Sequence, residues 1–267
     1  MKHQFKKIAL LAAMTAAFGV VSSNAMSAEF FTVNESSVQP TNAQIFQANY
    51  ITGQYGEAVT FNANNTFSTT LIFQGANYLN GSFVPSNLNG LNGYNLYATL
   101  TATGTYTQNG AATTFTFTPN SGAGLNVFID ANQDTKFSAF TSGTQGSVIT
   151  GNGSIDILIA TGGITQGGGT LNCAGNGANC GSFGTKTSFA LTPDGKNYFV
   201  APNPFYDLTF SSGDFRNFTP QANTTQYTQG GASLNFEVRA VPEPETLALL
   251  GVGLLGLGLT MRRRKQA

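Results

Sequence analysis

The chain has 267 residues, twelve basic and twelve acidic side chains and one histidine, so its formal net charge at pH 7 is zero. That histidine is His3, and the absence of imidazole beyond it excludes Ser-His-Asp and Cys-His nucleophile activation and the usual ligand for zinc, copper and non-haem iron. Seven cations lie in the terminal segments, namely Lys2, Lys6, Lys7, Arg262, Arg263, Arg264 and Lys265. Between Met26 and Ala240, Lys136, Lys186, Lys196, Arg216 and Arg239 face ten acids. A body with an excess of about five negative charges offers no electrostatic footprint for nucleic acid.

In chain order, Lys2, Lys6 and Lys7 precede an apolar run from Ile8 to Val21, followed by small residues. This reads as a secretory signal peptide over residues 1–25, with Ser23 and Ala25 satisfying the small-x-small rule for a cut after Ala25. A cut near Ser27 or Ala28 fits as well, and either leaves a mature chain beginning close to Met26.

Residues 26–240 read as one β-rich domain, a size that sandwiches and barrels reach undivided. EAVTF and FSTTLIF flank Asn64-Asn65. Leu96 to Thr107 alternates strictly, with Leu96, Ala98, Leu100, Ala102 and Tyr106 on one face and Tyr97 with a row of threonines on the other. The Asn109-Gly110 turn signal then leads into TTFTFT, which predicts a hairpin. LNVFI and SIDILIA read as further strands, and TSFAL is expected to pair with NYFVA across Pro193-Asp194-Gly195. Residues 161–184 carry so many glycines that they read as a long surface loop; their Gly-Gly-Gly is not a phosphate loop, because no Gly-Lys-Ser/Thr follows. Leu234, Phe236 and Val238 are expected to point inward, with Ser233, Asn235, Glu237 and Arg239 outward. No amphipathic helix competes, so the expected fold is all-β, an antiparallel sandwich with a jelly roll as one form of it.

Cys173 and Cys180, the only thiols, read as one disulfide in an exported chain. Closing so short a loop stabilises by roughly 2–3 kcal/mol less any strain, and the C-x-x-C spacing of a redox pair is absent. In FIDANQDTKF, Asp130, Asn132 and Asp134 have the i, i+2, i+4 oxygen spacing that opens an EF-hand loop, whereas Thr135 and Thr141 stand where that loop needs glycine and glutamate. Two readings stay open, a weak calcium site or an Asx-type turn. No other cofactor is expected.

The last segment, 241–267, places Pro242-Glu243-Pro244 before an apolar stretch, Leu247 to Met261, and a basic cluster, Arg262, Arg263, Arg264 and Lys265. As a helix the apolar stretch spans roughly 22 Å, short of the roughly 30 Å hydrocarbon core, and the basic cluster stays cytoplasmic. A permanent tail anchor and a temporary one both fit. The order of elements resembles the PEP-CTERM sorting signal of exopolysaccharide-producing Gram-negative bacteria. That resemblance implies a transient inner-membrane helix and an exosortase that removes the tail.

The stretches FTVNESSVQP, ITGQYGEAVTFNANNTFSTTLIFQG, FIDANQDTKF, NYFVAPNPFYDLTFSSGDF and SLNFEVRAVPEP further resemble the flocculation-associated PEP-CTERM protein family. The implied function is that of a non-enzymatic surface or matrix protein whose partner is exopolysaccharide. Faces of Thr, Asn, Ser and Gln suit hydroxyl-rich polymers. Two other readings are an exported polysaccharide-cleaving enzyme using carboxylates such as Asp207, Asp214 or Glu57, and a matrix protein self-associating through FFTVNE and SLNFEVRA as edge strands.

Overall fold

The computed structural model describes residues 29–38, 41–120, 123–138, 156–172, 181–212 and 220–238, with the backbone of 148–149. β1 (Phe31–Asn34) runs into a 3-10 turn, Glu35–Ser37, which starts where the Asn34 side chain accepts from the Ser36 amide; β2 (Ile45–Ala48) folds back on β1. β3 (Tyr50–Phe61) and β4 (Thr66–Leu79) form a long hairpin that turns at Asn65, φ 57°, and β5 (Phe83–Val84) returns along the end of β4. β6 (Asn95–Asn109) and β7 (Ala112–Phe117) form the hairpin predicted at Asn109-Gly110, with Gly110 at φ 61°.

β8 (Leu125–Asp130) is followed by a short hairpin of β9 (Lys136–Phe137) and β10 (Val148–Ile149). β11 (Ile157–Gly162), β12 (Ile164–Asn172) and β13 (Gly181–Thr187) come next, then β14 (Ala190–Leu191), helix α1 (Pro193–Tyr198) and β15 (Phe199–Ala201). β16 (Asp207–Ser212) and β17 (Thr224–Glu237) complete the fold.

The sheet closes on itself, so the expected sandwich is replaced by an eight-stranded antiparallel barrel in the order β3-β4-β6-β7-β12-β13-β16-β17, with β17 returning to β3. The fifteen-residue β6 makes this possible. One of its edges pairs with β4 from Gln74↔Tyr97 to Thr66↔Thr105; its other edge pairs first with β8 and then with β7. The sheet forks at that strand, and β8, β11 and β14 extend away from the barrel. Closure leaves the barrel strands no free edge.

Eight strands enclose an interior that side chains alone can fill. Phe61 meets Tyr106 at 5.1 Å between ring centroids, Phe67 meets Phe117 at 5.4 Å, and Tyr55 meets Phe183 at 5.7 Å, all edge to face. A second aromatic group lies under the small sheet β15-β1-β2, where Phe31 packs on Phe236 at 4.6 Å and on Phe199 at 5.6 Å. The inward set of β6 is buried as expected, apart from a half-buried Ala102.

Four local expectations are corrected. Within the expected loop of residues 161–184, the described residues are the end of β11, strand β12, lying between β7 and β13, and the start of β13. A Cβ on Gly168 would sit 2.5 Å from the Phe115 carbonyl oxygen and one on Gly169 2.6 Å from that of Ser182, so bare backbone is what lets these strands approach. Pro193-Asp194-Gly195 is the start of α1, with Thr192 as its cap accepting from the Gly195 amide at 3.0 Å. The strands beside it pair elsewhere, β14 with β11 and β15 with β1. β1 and β17 are each flanked on both sides, so neither is an edge. Val238 lies past the end of β17 and is 57% exposed. Cys173 and Cys180 lie outside the described residues, as do the signal peptide and the tail.

Candidate functional site: a neutral groove beside an acidic loop

Three neighbouring barrel strands bring nine outward positions into register. One row is Gln74, Gln54 and Gly231, the next Ile72, Gly56 and Gln229, the third Thr70, Ala58 and Tyr227. The centre of this grid, Gly56, has no side chain. Ala58 and Ile72 form a small apolar floor covered by Phe137 and Tyr227. The result is a groove of about 680 Å³ whose lining holds no ionisable side chain apart from the phenol of Tyr55. A second depression of about 640 Å³ shares Gln54, Gln74, Ala76 and Phe137 with it and adds one cation, Lys136.

The wall carrying Phe137 is the loop after β8. Asp130, fully buried, caps that loop: one carboxylate oxygen accepts from the Thr135 amide at 3.0 Å and the Asn95 side chain at 3.3 Å, the other from the Asp134 amide at 3.3 Å. Asp130 thus caps backbone four and five residues on, a longer reach than the two residues of an Asx turn. The side-chain NH2 of Asn132 donates to Asp134 at 2.9 Å, and its carbonyl oxygen is not engaged by that bond. Asp156, just before β11, stands beside Asp130 and Asp134. One carboxylate oxygen each from Asp130, Asp134 and Asp156 lie within 4.8 Å of one another.

Asp156 accepts from the Tyr97 hydroxyl and from Thr135 Oγ1 at 2.8 Å, while its Oδ1 is buried with no hydrogen-bond partner. Tyr97, expected on a polar face, is buried: it stacks on Phe128 at 5.0 Å and meets Phe137 at 5.2 Å. Burial, then the Asp156 hydrogen bond and charge, push its phenol well above the usual range. The acidic residues and the groove wall are thus one packed unit.

Glu57 and Asp207, two of the carboxylates weighed for hydrolysis, lie on separate strands, β3 and β16. Glu57 is mid-strand in β3, not near a turn, and points into the barrel, where Thr69 Oγ1 donates to it at 2.6 Å. Burial raises it to about 7, with that hydrogen bond working the other way. Asp207 begins β16, and Asp214 lies outside the described residues. Asp130 is fully enclosed, out of reach of a substrate. Sequence reasoning missed Asp156 and the three glutamines, although alternation in ITGQYGEAVTF already sets Gln54, Gly56 and Ala58 on one face.

Among the described residues no helix is long and apolar enough to cross a membrane; the candidate span, Leu247 to Met261, lies outside them, with Pro242, Glu243, Pro244, Arg262, Arg263 and Arg264. No curated protein and no solved structure matches the chain. Residues 240–265 match the PEP-CTERM protein-sorting motif. The chain thus ends in a PEP-CTERM sorting signal, which implies an exported, cell-surface-directed protein processed by an exosortase.

Proposed function

We propose that this is a surface or matrix protein that promotes flocculation by retaining exopolysaccharide, acting by binding and not by catalysis. The observation that carries the reading is the sorting tail, which delivers the folded barrel to the compartment where such polymer accumulates. The resemblance of the body to flocculation-associated proteins and the neutral outer groove support it. During sorting the apolar stretch holds the chain in the inner membrane until exosortase acts. Deletion of the gene is expected to leave the mass of polysaccharide unchanged while floc volume falls and polymer is shed into the medium. Loss of the polymer itself, or a change in its linkage composition, rejects the reading in favour of biosynthesis.

The proposal includes a weak calcium site formed by Asp130, Asp134 and Asp156. The buried Asp156 Oδ1, which has no hydrogen-bond partner among the described residues, favours it over a turn alone. With an affinity near 10⁻³ M, ten millimolar calcium stabilises by roughly 1 kcal/mol. Thermal unfolding with calcium, with magnesium and with chelator is expected to show a rise in melting temperature that calcium alone gives and that Asp134→Asn and Asp156→Asn each abolish. Equal melting in all three leaves Asp130 as the cap of a turn.

A further inference from the structure

We propose that the groove across β4, β3 and β17 is a binding site for a neutral, hydroxyl-rich glycan strand; this rests on the exopolysaccharide reading and names the site and the chemistry of its ligand. Three observations carry it. First, Gln54, Gln74 and Gln229 are exposed, and their side-chain amides make no hydrogen bond among the described residues. Each offers a carbonyl acceptor and an NH2 donor side by side, the pair that adjacent sugar hydroxyls satisfy. Strands lie 4.7–4.9 Å apart, so amides on the outer two of three strands grip across roughly 10 Å.

Second, the grid keeps glycine where a strand prefers a side chain. Glycine inside a strand costs roughly 0.5–1 kcal/mol relative to alanine and marks places where something approaches the backbone. At Gly231 neither conformation nor packing requires it: no left-handed φ is present, and a Cβ there would meet nothing within 4 Å. The space above Gly231 is open on the molecule's own terms, and a sugar ring fills it.

Third, the groove presents both surfaces that a sugar ring needs. The ring of Phe137 borders the buried Ile72 in the groove and offers apolar contact for C–H faces, while the amides take the hydroxyls. With no charged side chain in the larger groove, a polyanion finds no counter-charge there. The acidic trio packed behind the wall disfavours it further.

The test is affinity electrophoresis of the processed protein recovered from producing cells, in gels containing dextran, galactomannan, xyloglucan or hydroxyethylcellulose as neutral polymers and alginate as the anionic one. The protein and its Thr103→Ala variant, altered on the exposed outer face of β6, are expected to be retarded by at least one neutral polymer and not by alginate. Gln54→Ala combined with Gln229→Ala is expected to weaken that retardation roughly tenfold or more, from two lost amide contacts. Gly231→Leu is expected to abolish it by filling the floor, with an unchanged melting temperature showing that the barrel stands. Retardation by alginate alone, or by no polymer, overturns the inference, as does neutral-polymer binding that survives Gly231→Leu. A deletion strain restored to full flocculation by the Gly231→Leu protein leaves the matrix function standing and removes this groove from it.

Discussion

Unfolding measured between pH 4 and pH 8 is expected to show a protein that loses stability as the pH rises, by up to about 3 kcal/mol, with Glu57→Gln flattening the curve. The cause is the position of Glu57 in the barrel. It is 2% exposed, stands directly opposite Thr228 across the β3–β17 ladder, and receives one hydrogen bond, from Thr69. Its Oε2 has no partner, and neither have the hydroxyls of Thr228, Thr185 and Ser212. Burial therefore penalises the ionised form and raises the group from 4.5 to about 7.

In the unfolded chain the carboxyl ionises near 4.5, while in the barrel it keeps its proton until about 7. Below 4.5 both states are protonated and nothing is lost. Above it the unfolded state gains charge first, and the stability is lost as the pH rises through 7. A gap of about 2.5 units corresponds to roughly 3 kcal/mol. Glutamine keeps an acceptor for Thr69 and adds a donor for Thr228, so the variant should match the parent at pH 4 and exceed it at pH 8. A parent whose stability is flat across this range would mean that Glu57 reaches water.

This carboxyl shows where sequence reading stops. Alternation sets Glu57 on the same face as Tyr55, Val59 and Phe61, but nothing local says that this face is enclosed. The hairpins at Asn65 and Gly110 were legible because a turn and its two flanking strands are neighbours in sequence. Barrel closure was not, because it depends on the β4–β6 register between residues 66–74 and 97–105, which alternation permits in a sandwich equally well. β12 read as a loop because its glycines answer to the Phe115 and Phe183 strands packed against them. Asp130 and Asp134 were visible as a spacing, whereas Asp156 joins them from a distant strand. The sorting tail, a linear signal, needed no fold to be read.

Glu35 is the contrasting buried glutamate, and its removal is expected to be the most damaging single substitution at a polar position described here. Fully buried after β1, it accepts four hydrogen bonds. The Gln44 amide at 3.0 Å and the Asn87 side chain at 2.8 Å reach one oxygen; the Asn87 amide at 2.7 Å and the Tyr94 hydroxyl at 3.1 Å reach the other. Tyr94 in turn bonds Tyr198 of α1 at 2.7 Å, and Tyr198 bonds Tyr78 of β4. One carboxyl thus ties the end of β1 to the loop before β6, and through it to the helix and the barrel. Glu35→Ala removes four hydrogen bonds at roughly 1 kcal/mol each, a loss of about 3–4 kcal/mol and a melting temperature lower by on the order of 10 °C. Tyr94→Phe removes that side chain's link and spares the other three donors to Glu35, so it should cost about 1–2 kcal/mol. The half-buried pair Lys186–Glu237, at 3.0 Å and still in contact with solvent, sets the scale for a polar contact that matters little: Lys186→Ala should cost under about 1 kcal/mol. Denaturant unfolding of the three variants should therefore rank Glu35→Ala, Tyr94→Phe and Lys186→Ala in falling order of damage. Should Glu35→Ala prove no worse than Lys186→Ala, the network does not hold the small sheet to the barrel, and the aromatic packing of Phe31 on Phe199 and Phe236 must do so alone.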